Sequence, residues 1–454
     1  MLTRRKFLRQ TSFTIPAFAL LPGIFSSCKR DSLVENLNFD GKVIIVGAGA
    51  AGLYAAYLLH QQGVDVQILE ASNGIGGRIK RLEGFGDFTI ELGAEEVHGQ
   101  NSLWHDMVVA SGAQFVTAET NDLFRINGVL QTEASALNNA FFSDMTDLVD
   151  SIEAYDGGDV TAEQWGGVNG VHSSVEHIFN AWVGNEYGTS NSRLGMYGLR
   201  ESEERWTAGD ENFLLKDKDF LYIMEERFSG VLDQVELNTQ IISINYEDQK
   251  ILLTSESGIE YEADKIIVTV PITILKEGDI NFVPALPSNK IEAFQKIGMD
   301  TGMKIILKFD ERVWPVNTGS IYSDGHVPEF WATGAGGRGT DNILTAFVNG
   351  ENAEYLLGLG DGMIDVILAE LDAILGDASS HYVDHVIQDW GAEPFVRGAY
   401  SYPKVGSLGA FEIIAQPVDG KIFFAGEATH FGGHFGTVHG AMESGLRAVK
   451  ELLT

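Results

Sequence analysis

Lys42–Val46, a β-branched run (KVIIV), enters Gly47-Ala48-Gly49-Ala50-Ala51-Gly52 without a break. A helical pattern follows, with Leu53, Ala56, Tyr57 and Leu59 apolar and an end near Gly63. A second strand, Val64–Leu69, closes on Glu70. This strand, glycine loop, helix, strand and acid form a complete dinucleotide-binding unit, and no other feature restricts the fold as much. Gly47 permits the tight turn, Gly49 lets backbone approach a pyrophosphate, and Gly52 lets the helix pack on the strand, with Ala51 between them. The helix N-terminus supplies N–H donors and a positive dipole end to the phosphates. Glu70 stands 18 residues beyond Gly52, the spacing of an acid that grips ribose hydroxyls. The next segment, Ala71-Ser72-Asn73-Gly74-Ile75-Gly76-Gly77-Arg78, adds a second glycine pair and a guanidinium fork suited to pyrophosphate oxygens.

The rest of the composition is mainly exclusive. A length of 454 residues suggests two or three domains with a large core. A net charge of −33 repels nucleic acid and anionic lipid and attracts cations. The single cysteine, Cys28, permits neither an internal disulfide nor a cysteine zinc cluster. These properties exclude a DNA binder, a disulfide scaffold and a polytopic membrane protein.

Residues 1–28 read as a leader. Arg4, Arg5, Lys6 and Arg9 precede a short apolar run, Phe13–Phe25, too short to span a bilayer. Thr3-Arg4-Arg5-Lys6-Phe7-Leu8-Arg9 resembles a twin-arginine export signal, and Ser26-Ser27-Cys28 resembles a lipoprotein processing site, although Phe25 replaces the usual Leu. The resemblance implies the twin-arginine export machinery as a partner, a lipid anchor through Cys28, and a periplasmic or outward-facing location. Removing the four cations takes the charge from −33 to −37.

Further strands are expected at Gln240–Tyr246, Ile251–Thr254, Lys265–Val270, Met303–Phe309, Ile343–Val348 and Lys421–Ala425, with helices at Asp361–Leu375 and Gly440–Leu453. Residues 100–230 carry helical stretches, many acids and no glycine-rich loop. The nucleotide-type elements come in three separated pieces, so two domains interweave: 40–104, 226–284 and 386–454 against 105–225 and 285–385.

Val43–Arg78, together with Phe423-Phe424-Ala425-Gly426-Glu427-Ala428-Thr429-His430 and Gly436-Thr437-Val438-His439-Gly440-Ala441, resembles the FAD-dependent amine oxidase family. That family includes monoamine oxidases, polyamine oxidases, lysine-specific demethylases and L-amino-acid oxidases. The resemblance implies an α/β fold, in which a doubly wound, Rossmann-like FAD domain is interleaved with an α+β substrate domain containing a mixed sheet. It implies extended FAD, with Glu70 and Ala71 at the ribose, Gly77 and Arg78 at the phosphates, and Gly93-Ala94 beside the ring. Ile241 would lie at the adenine, Glu427 near the ribityl and pyrophosphate region, and Thr437-Val438 at the pyrimidine edge. Lys304 resembles the lysine that holds a water against flavin N5. Trp390 and Tyr400 resemble aromatics that line the flavin face, where a dry slot meets an amine. Ala399 stands where monoamine oxidases carry the flavin-bearing Cys, which implies non-covalent FAD. Thr437 replaces the second Tyr of their cage, which favours the polyamine-oxidase and demethylase branch.

After Ala94 the chain reads Glu95-Glu96-Val97-His98-Gly99, with no arginine to clamp a substrate carboxylate. His98 resembles a substrate-contacting His of animal polyamine oxidases, and Glu96 or the overall field would hold a distal ammonium. Glu201, Glu203 and Glu204 read as a solvated face. His430, His434 and His439 show no carboxylate at metal-ligand spacing, so no metal is expected. The implied reaction is oxidation of a small cationic amine, a polyamine, with hydride transfer to flavin N5 and O2 as acceptor; the imine hydrolyses. Alternatives are an L-amino-acid oxidase, a flavin desaturase, or a non-catalytic flavoprotein acting as sensor or electron carrier.

Overall fold

A computed structural model describes residues 39–454; the expected leader, residues 1–28, lies outside the described residues. Five parallel strands form the first sheet, in the order Ile422–Phe424, Lys265–Val268, Lys42–Val46, Asp65–Leu69 and Val235–Glu236. In chain order this is 5-4-1-2-3, a doubly wound arrangement whose switch point lies beside the first strand, where ligands bind off the strand ends.

Side-chain alternation explains why the sheet is covered on both faces. Val43, Ile45, Ile267 and Phe423 enter one core, with helix Ala50–Gln61 and the closing helix Val438–Leu453. Ile44, Val46, Ile266, Val268, Ile422 and Phe424 enter another, shared with a four-stranded sheet that contains Ile241–Asn245. Two buried faces require the near-continuous apolar runs that the sequence carries.

The other lobe holds a seven-stranded mixed sheet. Its order is Tyr382–Asp389, Gly302–Phe309, Asn342–Asn349, Glu329–Ala332, Thr318–Tyr322, Asn121–Ile126 and Val129–Thr132, with one parallel pair, Thr318–Tyr322 with Asn121–Ile126. Met303, Ile305, Leu307 and Phe309 bury against Leu356, Ile367 and Leu371 of helices Gly350–Gly358 and Met363–Leu375. The opposite face carries Lys304, Phe347, Glu329 and Tyr322 in one row, paired directly across four strands. That row looks into the space between the lobes.

Packing also places segments near the expected domain limits. Trp104, Met107 and Val108 of helix Leu103–Ala110, and Phe220, Ile223 and Met224 of helix Phe220–Arg227, bury in the nucleotide lobe's core. Ala293 and Phe294 of helix Ser288–Lys296 join the core beside the four-stranded sheet. No helix among the described residues is long and apolar enough to cross a membrane.

Candidate active site

A cavity of about 1430 Å³ runs from the glycine loop, between the lobes, to the acidic face of the seven-stranded sheet. A typical ligand pocket holds roughly 300–1,000 Å³, so this one has room for a dinucleotide and a second molecule.

At one end, Gly47 takes φ +112° and turns the chain out of the first strand. A Cβ on Gly52 would stand 2.0 Å from the Gly47 carbonyl oxygen, so the helix can sit against the turn only without a side chain there. A Cβ on Gly49 would meet nothing within 4 Å and would project into open cavity. Gly49 is therefore not required by the protein's own packing; the vacancy fits a ligand that approaches the backbone closely. Helix Ala50–Gln61 has no side-chain N-cap and no acid in its first turn, which leaves its N-terminal donors for an anion. The second glycine stretch lies against the first, with Gly76 N–H donating to Ala48 O at 2.9 Å.

Glu70 accepts from Ala48 N–H (2.7 Å), Ser72 N–H (2.8 Å) and the Ser72 hydroxyl (2.7 Å), so its carboxylate is aimed before any ligand arrives. Ala71, Gly77, Ala94, Ile241 and Val438 all line the cavity with it. Glu427 serves more as a hub than as an open ligand. Its carboxylate accepts from Arg78 Nη1 (2.8 Å), Ser401 N–H (3.2 Å), Ser401 Oγ (2.5 Å) and Gly436 N–H (2.7 Å), drawing three loops together at the cavity wall.

The aromatic walls are fixed from behind. Trp390 Nε1 donates to Leu92 O at 3.1 Å and its ring covers Gly93, where a Cβ would lie 3.1 Å from the indole and 1.8 Å from Arg78 O. The Tyr400 hydroxyl donates to Glu186 O at 2.8 Å. Thr437, expected at the substrate, has its hydroxyl engaged as the cap of the closing helix: it accepts from Gly440 N–H (3.0 Å) and donates to His434 O (2.7 Å). Only its place at the helix start remains available to a ligand.

Lys304 is 5% exposed and donates to Glu95 Oε2 (2.8 Å) and Glu91 O (3.1 Å), with the Trp331 ring 5.1 Å away. Two of its three donors are used, and the third remains for a molecule in the cavity. Glu95 and Glu96 are adjacent in sequence, but the fold separates them. Glu95 is buried in ion pairs with Lys304 and Arg338, whereas Glu96 turns toward the cavity beside His98, at 3.8 Å. His98 Nδ1 pairs with Asn212 Oδ1 at 3.1 Å.

Nothing in the sequence marks three further carboxylates at this cavity. Asp122, Glu186 and Glu329 line the cavity with Glu96. Burial, then the neighbouring acids, push Glu96 and Glu329 up to about 8. Burial raises Asp122 to about 6, against the pull of Ser320 N–H at 2.9 Å. Glu96 shows 47% of its side chain, and it lines the cavity between the lobes. The sequence signal was weak: Asp122 and Glu329 sit on short strands whose other residues look ordinary.

Two further expectations change. Glu203 is not on a solvated face; it is buried and accepts from the Tyr187 hydroxyl at 2.6 Å. The histidines do have a carboxylate nearby: Glu443 lies one turn into the closing helix and pairs with His430 Nε2 (3.0 Å) and His434 Nδ1 (2.7 Å). The opposite ring nitrogens accept backbone N–H groups, from His434 at 3.1 Å and Thr207 at 3.2 Å. A metal in place of the two donated protons would leave both rings with no N–H, which neutral imidazole ligands do not tolerate. The trio is a hydrogen-bonded latch between loop and helix.

Comparison with known proteins agrees with this geometry. The family profile described as flavin containing amine oxidoreductase matches residues 224–453, and that of an NAD(P)-binding Rossmann-like domain matches residues 45–110. Lysine-specific histone demethylase 2 of Homo sapiens is 28% identical over 95% of this chain and 55% of its own length; the chain thus spans about half of that relative. Polyamine oxidase 4 of Oryza sativa subsp. japonica is 27% identical over 90% of this chain and 88% of its own. A solved putrescine oxidase bound to putrescine superposes with a TM-score of 0.80 at 20% identity, covering 91% of this chain and 98% of that one, a likeness of fold.

Proposed function

The chain belongs to the flavin containing amine oxidoreductase family, and we propose that this member oxidises basic amines, above all polyamines, outside the cytoplasm. Its cofactor is FAD held without a covalent bond, which the glycine cradle, Glu70 and the helix N-terminus fit. When bound, FAD supplies the oxidising chemistry: hydride acceptance at N5 from the carbon beside nitrogen, then reduction of O2 to hydrogen peroxide. The chain's own residues bind and orient. Trp390 and Tyr400 wall a dry slot, and Lys304 holds a solvent molecule at its remaining donor.

One observation carries the choice of substrate. Every lysine and arginine lining the cavity faces an acid: Arg78 with Glu427, Lys80 with Glu393, and Lys304 and Arg338 with Glu95. Glu96, Asp122, Glu186 and Glu329 line the same cavity, and burial pushes the carboxyls of Glu96, Asp122 and Glu329 up. A cavity with these carboxyls favours an amine carrying a second ammonium, which would draw them into the ionised form, and disfavours a substrate carboxylate. This speaks against an amino-acid oxidase, because Arg338, the arginine beside Lys304, is turned onto Glu95 and Thr333 O.

Anaerobic mixing of the yellow protein with spermine, spermidine, tyramine and single amino acids tests the reading. Bleaching by the polyamines is expected; bleaching only by amino acids, or by nothing, would overturn it. The pH dependence has a defined sign. Glu96 and Glu329, raised to about 8, are largely uncharged near neutrality, and a polyammonium guest draws them into the ionised form. Affinity therefore rises with pH while the guest stays protonated, by about tenfold between pH 6 and 8. Glu329→Gln should weaken spermine binding and flatten that slope.

The leader supports an exported site of action, with Cys28 as the acylated first residue of the mature chain. Mass spectrometry of protein from the native host should find Cys28 lipidated; an unprocessed N-terminus would remove the anchor.

A further inference from the structure

Glu95, Lys304 and Arg338 come from three distant segments and meet beside the cavity. Lys304 extends from the strand Gly302–Phe309. Arg338 follows Gly336 and Gly337, whose φ of +69° and +82° turn the connection between two neighbouring strands back toward the interlobe space. Arg338 Nη1 lies 2.5 Å from Glu95 Oε1, and Lys304 Nζ lies 2.8 Å from Glu95 Oε2; each of the three side chains is 6% exposed.

Charge accounting makes the third member informative. A lone Lys304–Glu95 pair would be neutral and would cancel the ammonium for anything in the cavity. With Arg338 added, Glu95 is shared: Lys304 keeps an ionised partner, and the group as a whole retains one positive charge. Burial alone would raise the Glu95 carboxyl, but Lys304 and Arg338 together hold it below its ordinary value. Stability is a poor account of such a set, since a buried ion group rarely outperforms well-packed apolar side chains.

We infer that Glu95 and Arg338 are positioning residues for Lys304, aiming its ammonium at the cavity and leaving the trio with one net positive charge at the wall where the flavin ring would lie. This rests on the amine oxidase reading, through the placement of FAD in the cavity beside Lys304. The positive charge favours the anionic reduced ring over the neutral oxidised one, so it acts on the reduction potential.

The decisive measurement is the flavin reduction potential of the full FAD-loaded chain, equilibrated against reference dyes. Glu95→Gln takes the trio from one net positive charge to two and should raise the potential. Arg338→Met takes it to zero and should lower it. The double variant restores a single charge and should return close to wild type, although it has lost both side chains. A purely structural role predicts lower melting temperatures with no ordered change in potential. Single variants that shift the potential in the same direction, or leave it at the wild-type value, overturn the inference. Should Glu95→Gln fail to retain FAD, Arg338→Lys against Arg338→Met decides: the lysine should preserve the wild-type potential and the methionine lower it. Failure of the wild-type protein to bind FAD or bleach with amines would instead remove the amine oxidase reading, a separate outcome.

Discussion

Lys304→Met should keep bound FAD yet slow flavin reduction by amine, or its reoxidation by O2, by roughly a hundredfold, the lower range for a positioned proton-handling group. Met approximates the length of the lysine stem and suits the neighbouring Trp331 ring, so the strand should persist. The lost ammonium leaves Glu95 paired with Arg338 at 2.5 Å, which limits the structural cost. What disappears is the donor facing the cavity, together with the water it would hold. Stopped-flow measurement of the two half-reactions separates these contributions. Rates within about threefold of wild type in both would take Lys304 out of the reaction, since that corresponds to well under 1 kcal/mol of barrier.

The second large effect divides two glycines that a motif treats alike. Gly49→Val should fold with an apo melting temperature close to wild type and emerge colourless, with FAD affinity reduced by about a hundredfold or more, near 2.7 kcal/mol. Its backbone is extended, φ −78° and ψ −174°, and its Cβ direction is open, so the protein itself has no objection to the side chain. The pyrophosphate does. Gly52→Ala should harm both properties. Its Cβ would stand 2.0 Å from Gly47 O and 3.1 Å from Thr269 Oγ1, so helix and turn must separate, a strain of about 1–3 kcal/mol. Thermal melts of the apo-proteins and FAD titration distinguish the two cases. A yellow Gly49→Val protein would show that no phosphate passes that backbone.

The nucleotide end was legible because its interactions are local. From Lys42 to Arg78, turn, helix start, second strand and acid follow one another within 37 residues, and backbone sterics alone give each glycine its meaning. The closing helix and its entry at Thr437 were legible for the same reason, although the structure assigned the hydroxyl to the cap rather than to a substrate. The strands Asn121–Ile126 and Val129–Thr132 were not, since Asp122 and Arg125 in the first and the four-residue length of the second hide the alternation that marks a strand.

Local order in the chain thus determined that a dinucleotide is held, and by which loop. Tertiary structure decided what the opposite end of the cavity asks of a substrate. Glu95 is 209 residues from Lys304 and 243 from Arg338, and no periodicity links them. Asp122, Glu186 and Glu329 likewise become one acidic wall only when distant strands and a helix close around the same space. A buried charge takes its meaning from partners and from water excluded around it, and both exist only after the lobes have packed.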